Sequence, residues 1–262
     1  MKFARFRVDG YDYYGQVDGD RLRAIQGDIF SGDFRVTRAS YPLSRVKLLS
    51  PSRPTNYWGI GENYQVHVDF RKIELRESIT RREGRFSPWY KSAGCVVATE
   101  DPITIPIDCP VLEYEGELCI VIGKEATRVS KADAPGYIFG YTVSNDMDGG
   151  GEWHLSGLWK QKMCDGFGPV GPWIETEVDP HNLEIITRVD GREEDRGSTR
   201  DMVHNCYAIV SGISQFCTLR PGDLITTGAP GLTRGLNPGE VVEVEIPGIG
   251  TLRNPIVANS EA

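Results

Sequence analysis

Apolar and polar residues alternate with a period of two along most of this chain, the spacing of strands whose side chains point to opposite faces in turn. Phe3 to Val8 and Tyr11 to Val17 alternate on either side of Asp9-Gly10, and a second turn falls at Asp18-Gly19-Asp20. Residues 1–50 therefore read as a small N-terminal β domain. Pro51-Ser52-Arg53-Pro54 is a short extended linker, because each proline restricts the residue before it, and residues 55–262 form a larger second domain. The stretch from Gln65 to Gly84, rich in Arg and Glu, is predicted helical and mobile, with its charges on a solvated face. Short strands follow at Val96 to Ala98 and Ile103 to Ile105, then longer ones at Val111 to Ile122 and Tyr137 to Ser144. Further strands at Trp173-Ile174, Leu183 to Val189, Leu224 to Thr227 and Val241 to Ile246 are separated by Pro, Gly and Asp turns. One segment, Met202 to Gln215, carries apolar residues at helical spacing. Many short strands with few helices give a β-rich α+β fold, a rolled or sandwiched sheet and not a doubly wound one.

Composition narrows the partners. The chain has 262 residues, 39% of them hydrophobic and 25% charged, with a mean hydropathy of -0.34. It has no apolar run of the ~18 residues needed to span a membrane, and its first residues lack a signal-peptide core, so a cytoplasmic location is expected. A net charge of -8 with no basic block argues against nucleic acid and leaves a small molecule as the expected partner. The six cysteines form no Cys-x-x-Cys pair, so neither a disulfide nor a zinc site is expected. Gly149-Gly150-Gly151 does not fit a phosphate-binding loop.

Within Val111 to Gly123, Glu115 and Glu117 lie two apart and so share one face of a strand, ~6.5 to 7 Å from each other along it. Two carboxylates held that close repel unless a cation or proton lies between them. A solvated edge strand would show the same spacing, and the chain contains its own control in Glu243 and Glu245 of Val-Val-Glu-Val-Glu-Ile. The apolar run after Glu117 continues on both faces through Ile122, as a buried strand does. Glu243 and Glu245 lie in strict alternation instead. The first pair thus enters an interior where unpaired charge is costly, and a metal site is the reading that resolves it.

Five motifs, in order, make the chain from about residue 55 to 257 resemble the fumarylacetoacetate hydrolase family. They are Gly61-Glu62-Asn63-Tyr64-Gln65-Val66-His67, Tyr114-Glu115-Gly116-Glu117-Leu118 with Val121-Ile122-Gly123, Gly140-Tyr141-Thr142-Val143-Ser144-Asn145-Asp146, Lys162-Met163-Cys164-Asp165-Gly166-Phe167-Gly168-Pro169-Val170-Gly171-Pro172, and Pro221-Gly222-Asp223-Leu224-Ile225-Thr226-Thr227-Gly228. The resemblance implies a mixed β-sandwich roll and a homodimer. It also implies Mg2+ or Mn2+ held by Glu115, Glu117 and Asp146, an all-oxygen set that suits a hard cation. In the family the open coordination positions take the two oxygens of a 2-oxo acid or diketone, and the ion steadies an enolate. By the same resemblance Lys162 places a cation near the developing charge and His67 is the general base. Tyr64, Lys91, Asp165, Gly228 and Ala229 are expected substrate contacts. His154, His181 and His204 have no such context and are read as structural.

Three departures fall on the substrate side. Many members carry Glu three residues after the histidine, where this chain has Phe70, with Asp69 and Glu74 as the nearby acids. After Asn145-Asp146 the family commonly shows Ser-x-Arg one residue on, where this chain has Asp148-Gly149-Gly150; loss of the guanidinium disfavours an anionic substrate end. Gly228-Ala229-Pro230 replaces the usual Gly-Thr-Pro. The leading expectation is a hydrolase cleaving a carbon–carbon bond in a 1,3-dicarbonyl or acylpyruvate-like compound, on a substrate bulkier or less anionic than a short acylpyruvate. A decarboxylase or keto–enol isomerase on the same site is the alternative, favoured by Phe70, and a metal-dependent binding protein without turnover is the third.

Overall fold

A computed structural model describes residues 1–65, 86–231 and 233–259. His67, Asp69, Phe70 and Glu74, with nearly all of the predicted helix that holds them, lie outside the described residues. Strands dominate the rest and assemble into three sheets. The largest runs from the N-terminal meander, Lys2–Val8, Tyr11–Asp18, Arg21–Asp28 and Asp33–Pro42, into the body of the protein. Its continuation is Gly168–Glu175, Ile138–Asn145, Gly116–Ile122, Leu224–Thr226, Tyr57–Ile60 and Pro88–Lys91. The join is antiparallel, with Lys2 opposite Glu175 and Phe3 opposite Ile174. The N-terminal strands, expected as a small β domain, pair edge to edge with the strands of the main sheet. A second sheet, containing Glu184–Val189, Val241–Ile246 and Gly250–Val257, packs near its centre.

The Gly116–Ile122 strand lies at the middle of this architecture, and every residue in it is buried. Leu118, Ile120 and Ile122 enter one core cluster with Trp58, Val143, Ile209 and Val244. Cys119 and Val121 enter another with Tyr57, Phe167 and Val170. The continuous apolar run is what two covered faces require. By contrast Val241–Ile246 alternates between half-buried and buried positions, and its glutamates pair outward: Glu245 with Arg188 at 2.6 Å and Glu243 with Arg253 at 3.4 Å. The predicted helix over Met202 to Gln215 is shorter than its spacing suggests, spanning Cys206–Ser214. Asn205 caps it by accepting from the Ala208 N–H at 3.0 Å. Ahead of the cap, Val203 and His204 turn out to donate backbone N–H groups to Asn63, each at 2.8 Å.

Candidate metal centre

The centre forms where two neighbouring strands of the main sheet meet end to end. Gly116–Ile122 pairs antiparallel with Ile138–Asn145 so that Gly116 faces Asn145. Glu115 therefore stands beside Asp146, just past the ladder. Two hydrogen bonds extend the pairing: Asn145 Oδ1 accepts from the Glu115 N–H and the Glu115 carbonyl accepts from the Asp146 N–H, both at 2.8 Å. Glu115, Glu117 and Asp146 offer oxygens that all lie within 4.8 Å of one another. Glu117 is 1% and Asp146 3% exposed.

Each carboxylate is held by a different donor. Glu117 Oε2 accepts from the Gly228 backbone N–H at 2.6 Å. Gly228 adopts φ +91°, and a Cβ there would meet Asn63 Cβ at 2.9 Å, so glycine is what lets the loop present this N–H. Lys162, at the end of the Leu158–Lys162 helix, sends Nζ to Glu115 Oε2 at 2.7 Å, to the Asp146 carbonyl at 3.1 Å and to Asp148 Oδ2 at 3.2 Å. Lys91 Nζ, with no exposed side-chain surface, donates to the Asp146 carboxylate and to the Lys162 carbonyl. Burial pushes the Glu115 carboxyl up to about 7 despite the pull of Lys162. Glu117 is driven well above the usual carboxylate range by burial and then by the charges of Asp146 and Glu115. For Lys162, burial works to discharge the amine, but Asp146, Glu115 and Asp148 outweigh it and hold it cationic.

This arrangement fits the ion expected from the sequence. Three carboxylate oxygens converge with no nitrogen or sulfur among them, and burial together with the neighbouring charges raises Glu115 and Glu117, so a cation is the partner that favours their ionised forms. The donor set suits Mg2+ or Mn2+. A cavity of about 170 Å3 opens above it, lined by Glu115, Asp146, Asp148, Gln161, Lys162, Gly228 and Ala229 on the polar side and by Ile60, Trp89 and Leu158 on the apolar side.

Of the expected substrate contacts, Gly228 and Ala229 line this cavity. Lys91 lies behind Asp146, because Tyr57–Ile60 pairs with Pro88–Lys91 and sets Lys91 opposite the buried Tyr57. Tyr64 is 1% exposed; its hydroxyl has no hydrogen-bond partner among the described residues, and burial, then the Glu117 charge, raises its pKa well above the ordinary phenol value. Asp165 is exposed, in the turn after the Lys162 helix, away from the cavity lining. Sequence reasoning missed Gln161 and the grouping of Glu113, Asp148 and His154, whose ligand atoms also lie within 4.8 Å of one another. The Glu-x-Glu spacing that marked Glu115 extends back to Glu113 and was the available signal.

Comparison with known proteins identifies the family. The family model for the fumarylacetoacetate hydrolase C-terminal region matches residues 56–257. The chain belongs to the fumarylacetoacetate hydrolase family. A second family model, for the Rv2993c-like N-terminal region, matches residues 1–51. The chain is 37% identical over 225 residues to Protein Rv2993c of Mycobacterium tuberculosis, covering 84% of this chain and 82% of that one. It is 34% identical over 229 residues to the mitochondrial oxaloacetate tautomerase fahd2 of Xenopus laevis, covering 82% and 69%. The structure of 5-carboxymethyl-2-hydroxymuconate delta-isomerase from Mycobacterium smegmatis superposes with a TM-score of 0.89 at 31% identity, covering 99% of this chain and 100% of that one. Members of this family thus include proteins named for isomerisation and tautomerisation, and no helix among the described residues is long and apolar enough to cross a membrane.

Proposed function

We propose that this protein is a divalent-metal-dependent enzyme acting on a 2-oxo acid or 1,3-dicarbonyl compound through its enolate. The enolate is used for proton transfer or decarboxylation in preference to hydrolytic carbon–carbon cleavage. The observation that carries the first statement is the three-carboxylate cluster at the floor of a cavity, with a buried ammonium beside it. When bound, Mg2+ or Mn2+ supplies a Lewis acid for the substrate carbonyl. Lys162, kept cationic by three carboxylates, is a fixed positive charge for the oxygen that becomes negative. Gly228 fixes Glu117 and Lys91 fixes Asp146, so the ligand oxygens need little rearrangement. Ile60, Trp89 and Leu158 take the apolar part of the substrate and exclude water from one side. His67, in the motif whose first residues Gly61, Glu62 and Asn63 line the cavity, is assigned the proton.

The preference for proton transfer is supported by Phe70, at the sequence position where many family members carry Glu, and by the relatives named for tautomerisation and isomerisation, which stand beside others named as hydrolases. Asp148, in the cavity wall, supports a substrate whose far end is uncharged or bulky. Oxaloacetate, acylpyruvates and larger β-diketones, each with Mg2+ or Mn2+, test both statements. Expected is enol–keto exchange by ultraviolet absorbance, or carbon dioxide release. Two carbonyl fragments from an acylpyruvate would overturn the preference and leave the metal-dependent enolate reading intact; no metal-dependent turnover of any substrate class would overturn both. A strong preference for acetylpyruvate or fumarylpyruvate would overturn the assignment of the far end.

A further inference from the structure

The short strands Leu112–Glu113 and Asp148–Gly149 pair antiparallel, and their register places Glu113 directly opposite Asp148. Like charges at opposed positions of a ladder repel, and Asp148 is 6% exposed, so water does little to screen the pair. Only one oxygen of Asp148 is accounted for: Oδ2 accepts from Gln161 Nε2 at 2.9 Å and faces Lys162 at 3.2 Å. Oδ1 is buried and has no hydrogen-bond partner among the described residues. It faces His154 Nε2 across 3.6 Å, too far for a hydrogen bond. Gly150 admits the third group, since a Cβ there would meet Glu113 Oε2 at 2.7 Å.

That gap has a natural occupant. An ion at about 2.1 Å from an imidazole nitrogen and a carboxylate oxygen that lie 3.6 Å apart subtends roughly 120°, within the range of trigonal to tetrahedral coordination. We propose that Glu113, Asp148 and His154 form a second divalent-cation site, separate from the one at Glu115, Glu117 and Asp146. The imidazole distinguishes the two: two oxygens and a nitrogen favour Mn2+ or Zn2+ over Mg2+, which prefers oxygen and retains its waters. Lys162 stands between the sites, touching Glu115 on one side and Asp148 on the other. The inference is independent of the reaction assigned above, because it rests on ligand geometry and not on turnover.

Equilibrium dialysis of the metal-stripped full chain against Mn2+, with bound metal counted by elemental analysis, tests it. Two Mn2+ per chain are expected for the wild type. One is expected for His154→Ala, for Glu113→Gln and for Glu117→Gln, and none for His154→Ala combined with Glu117→Gln. The side chain of His154 is 51% exposed, so its removal is compatible with folding, and circular dichroism checks that it folds. A single Mn2+ in the wild type, or a second equivalent that survives both His154→Ala and Glu113→Gln, overturns the proposal. Wild-type crystals soaked in Mn2+ give an answer without any variant: an anomalous peak at His154 Nε2 supports the site, and its absence overturns it.

Discussion

At the scale of single residues, the two Glu-x-Glu pairs are an internal comparison. Glu117 is enclosed and held by a backbone N–H, whereas Glu243 lies half-exposed against Arg253. Glu117→Gln is expected to weaken Mn2+ binding by at least about 100-fold, more than loss of an outer-shell partner costs, and to abolish metal-dependent turnover. Glu243→Ala is expected to change neither, with stability altered by no more than ~0.5 kcal/mol; isothermal titration and thermal melts measure both, and equal effects would show that the sites are not different in kind. Lys162 is the other decisive residue. Replacing it with Met leaves Glu115 and Asp148 without their ammonium and Asp146 with that of Lys91 alone, and losing one partner of a buried pair costs ~3–5 kcal/mol. That cost belongs to the metal-free protein. Urea midpoints for Lys162→Met are expected to fall well below wild type in EDTA and to recover partly with Mg2+ or Mn2+, while turnover drops by ~100- to 1,000-fold. A loss of stability unchanged by metal would show that Lys162 is only a packing group.

At the scale of elements, the strand through Gly116–Ile122 couples the core to the centre. Gly116 sits between Glu115 and Glu117 but faces the second sheet, where an added Cβ would collide with Thr187 Oγ1 and approach Val244 Cγ1 at 2.9 Å. Gly116→Ala is therefore expected to cost ~1–3 kcal/mol through overpacking and also to weaken metal binding, since the strand must shift with its carboxylates. Normal affinity in a destabilised Gly116→Ala protein would show that the sheet contact does not position the ligands. This strand is also where the sequence was most readable: a continuous apolar run with acids at one end has few other interpretations, and Val241–Ile246 displayed the alternative. Lys91 was harder to place, because its role depends on Tyr57–Ile60 and Pro88–Lys91 pairing across a span of chain that no local pattern encodes. Glu113, Asp148 and His154 were harder still. Two-residue strands are too short to show a period, and only their register brings the two acids face to face.

At the scale of the whole molecule, the N-terminal meander is fastened to the main sheet by pairing between residues far apart in sequence, a contact that alternation alone does not encode. Ionic contacts tie the first hairpin of the meander to the linker that follows it. Asp12 accepts from Arg5 at 2.7 Å, from Arg7 at 2.6 Å and from Arg53 of the linker at 2.9 Å, while Arg5 also reaches the Ser50 carbonyl at 3.3 Å. The hydrogen bond from Arg7, aided by Arg5 against a little burial, holds the Asp12 carboxyl below its ordinary value of 3.8. A carboxyl whose pKa is lower in the folded chain stabilises it at every pH above the unfolded value. That contribution disappears as pH falls through the lower, folded value, because both states are then protonated. Partly exposed pairs contribute little each, so Asp12→Asn is expected to lower the melting temperature by roughly 1 to 3 °C at pH 7. The difference from wild type should shrink as pH is lowered below 3.8, where the wild-type carboxyl begins to lose its own charge. Chemical denaturation at pH 7 and pH 3 distinguishes this from a packing effect: a deficit that persists unchanged at pH 3 would mean that Asp12 holds the hairpin to the linker by shape and not by charge.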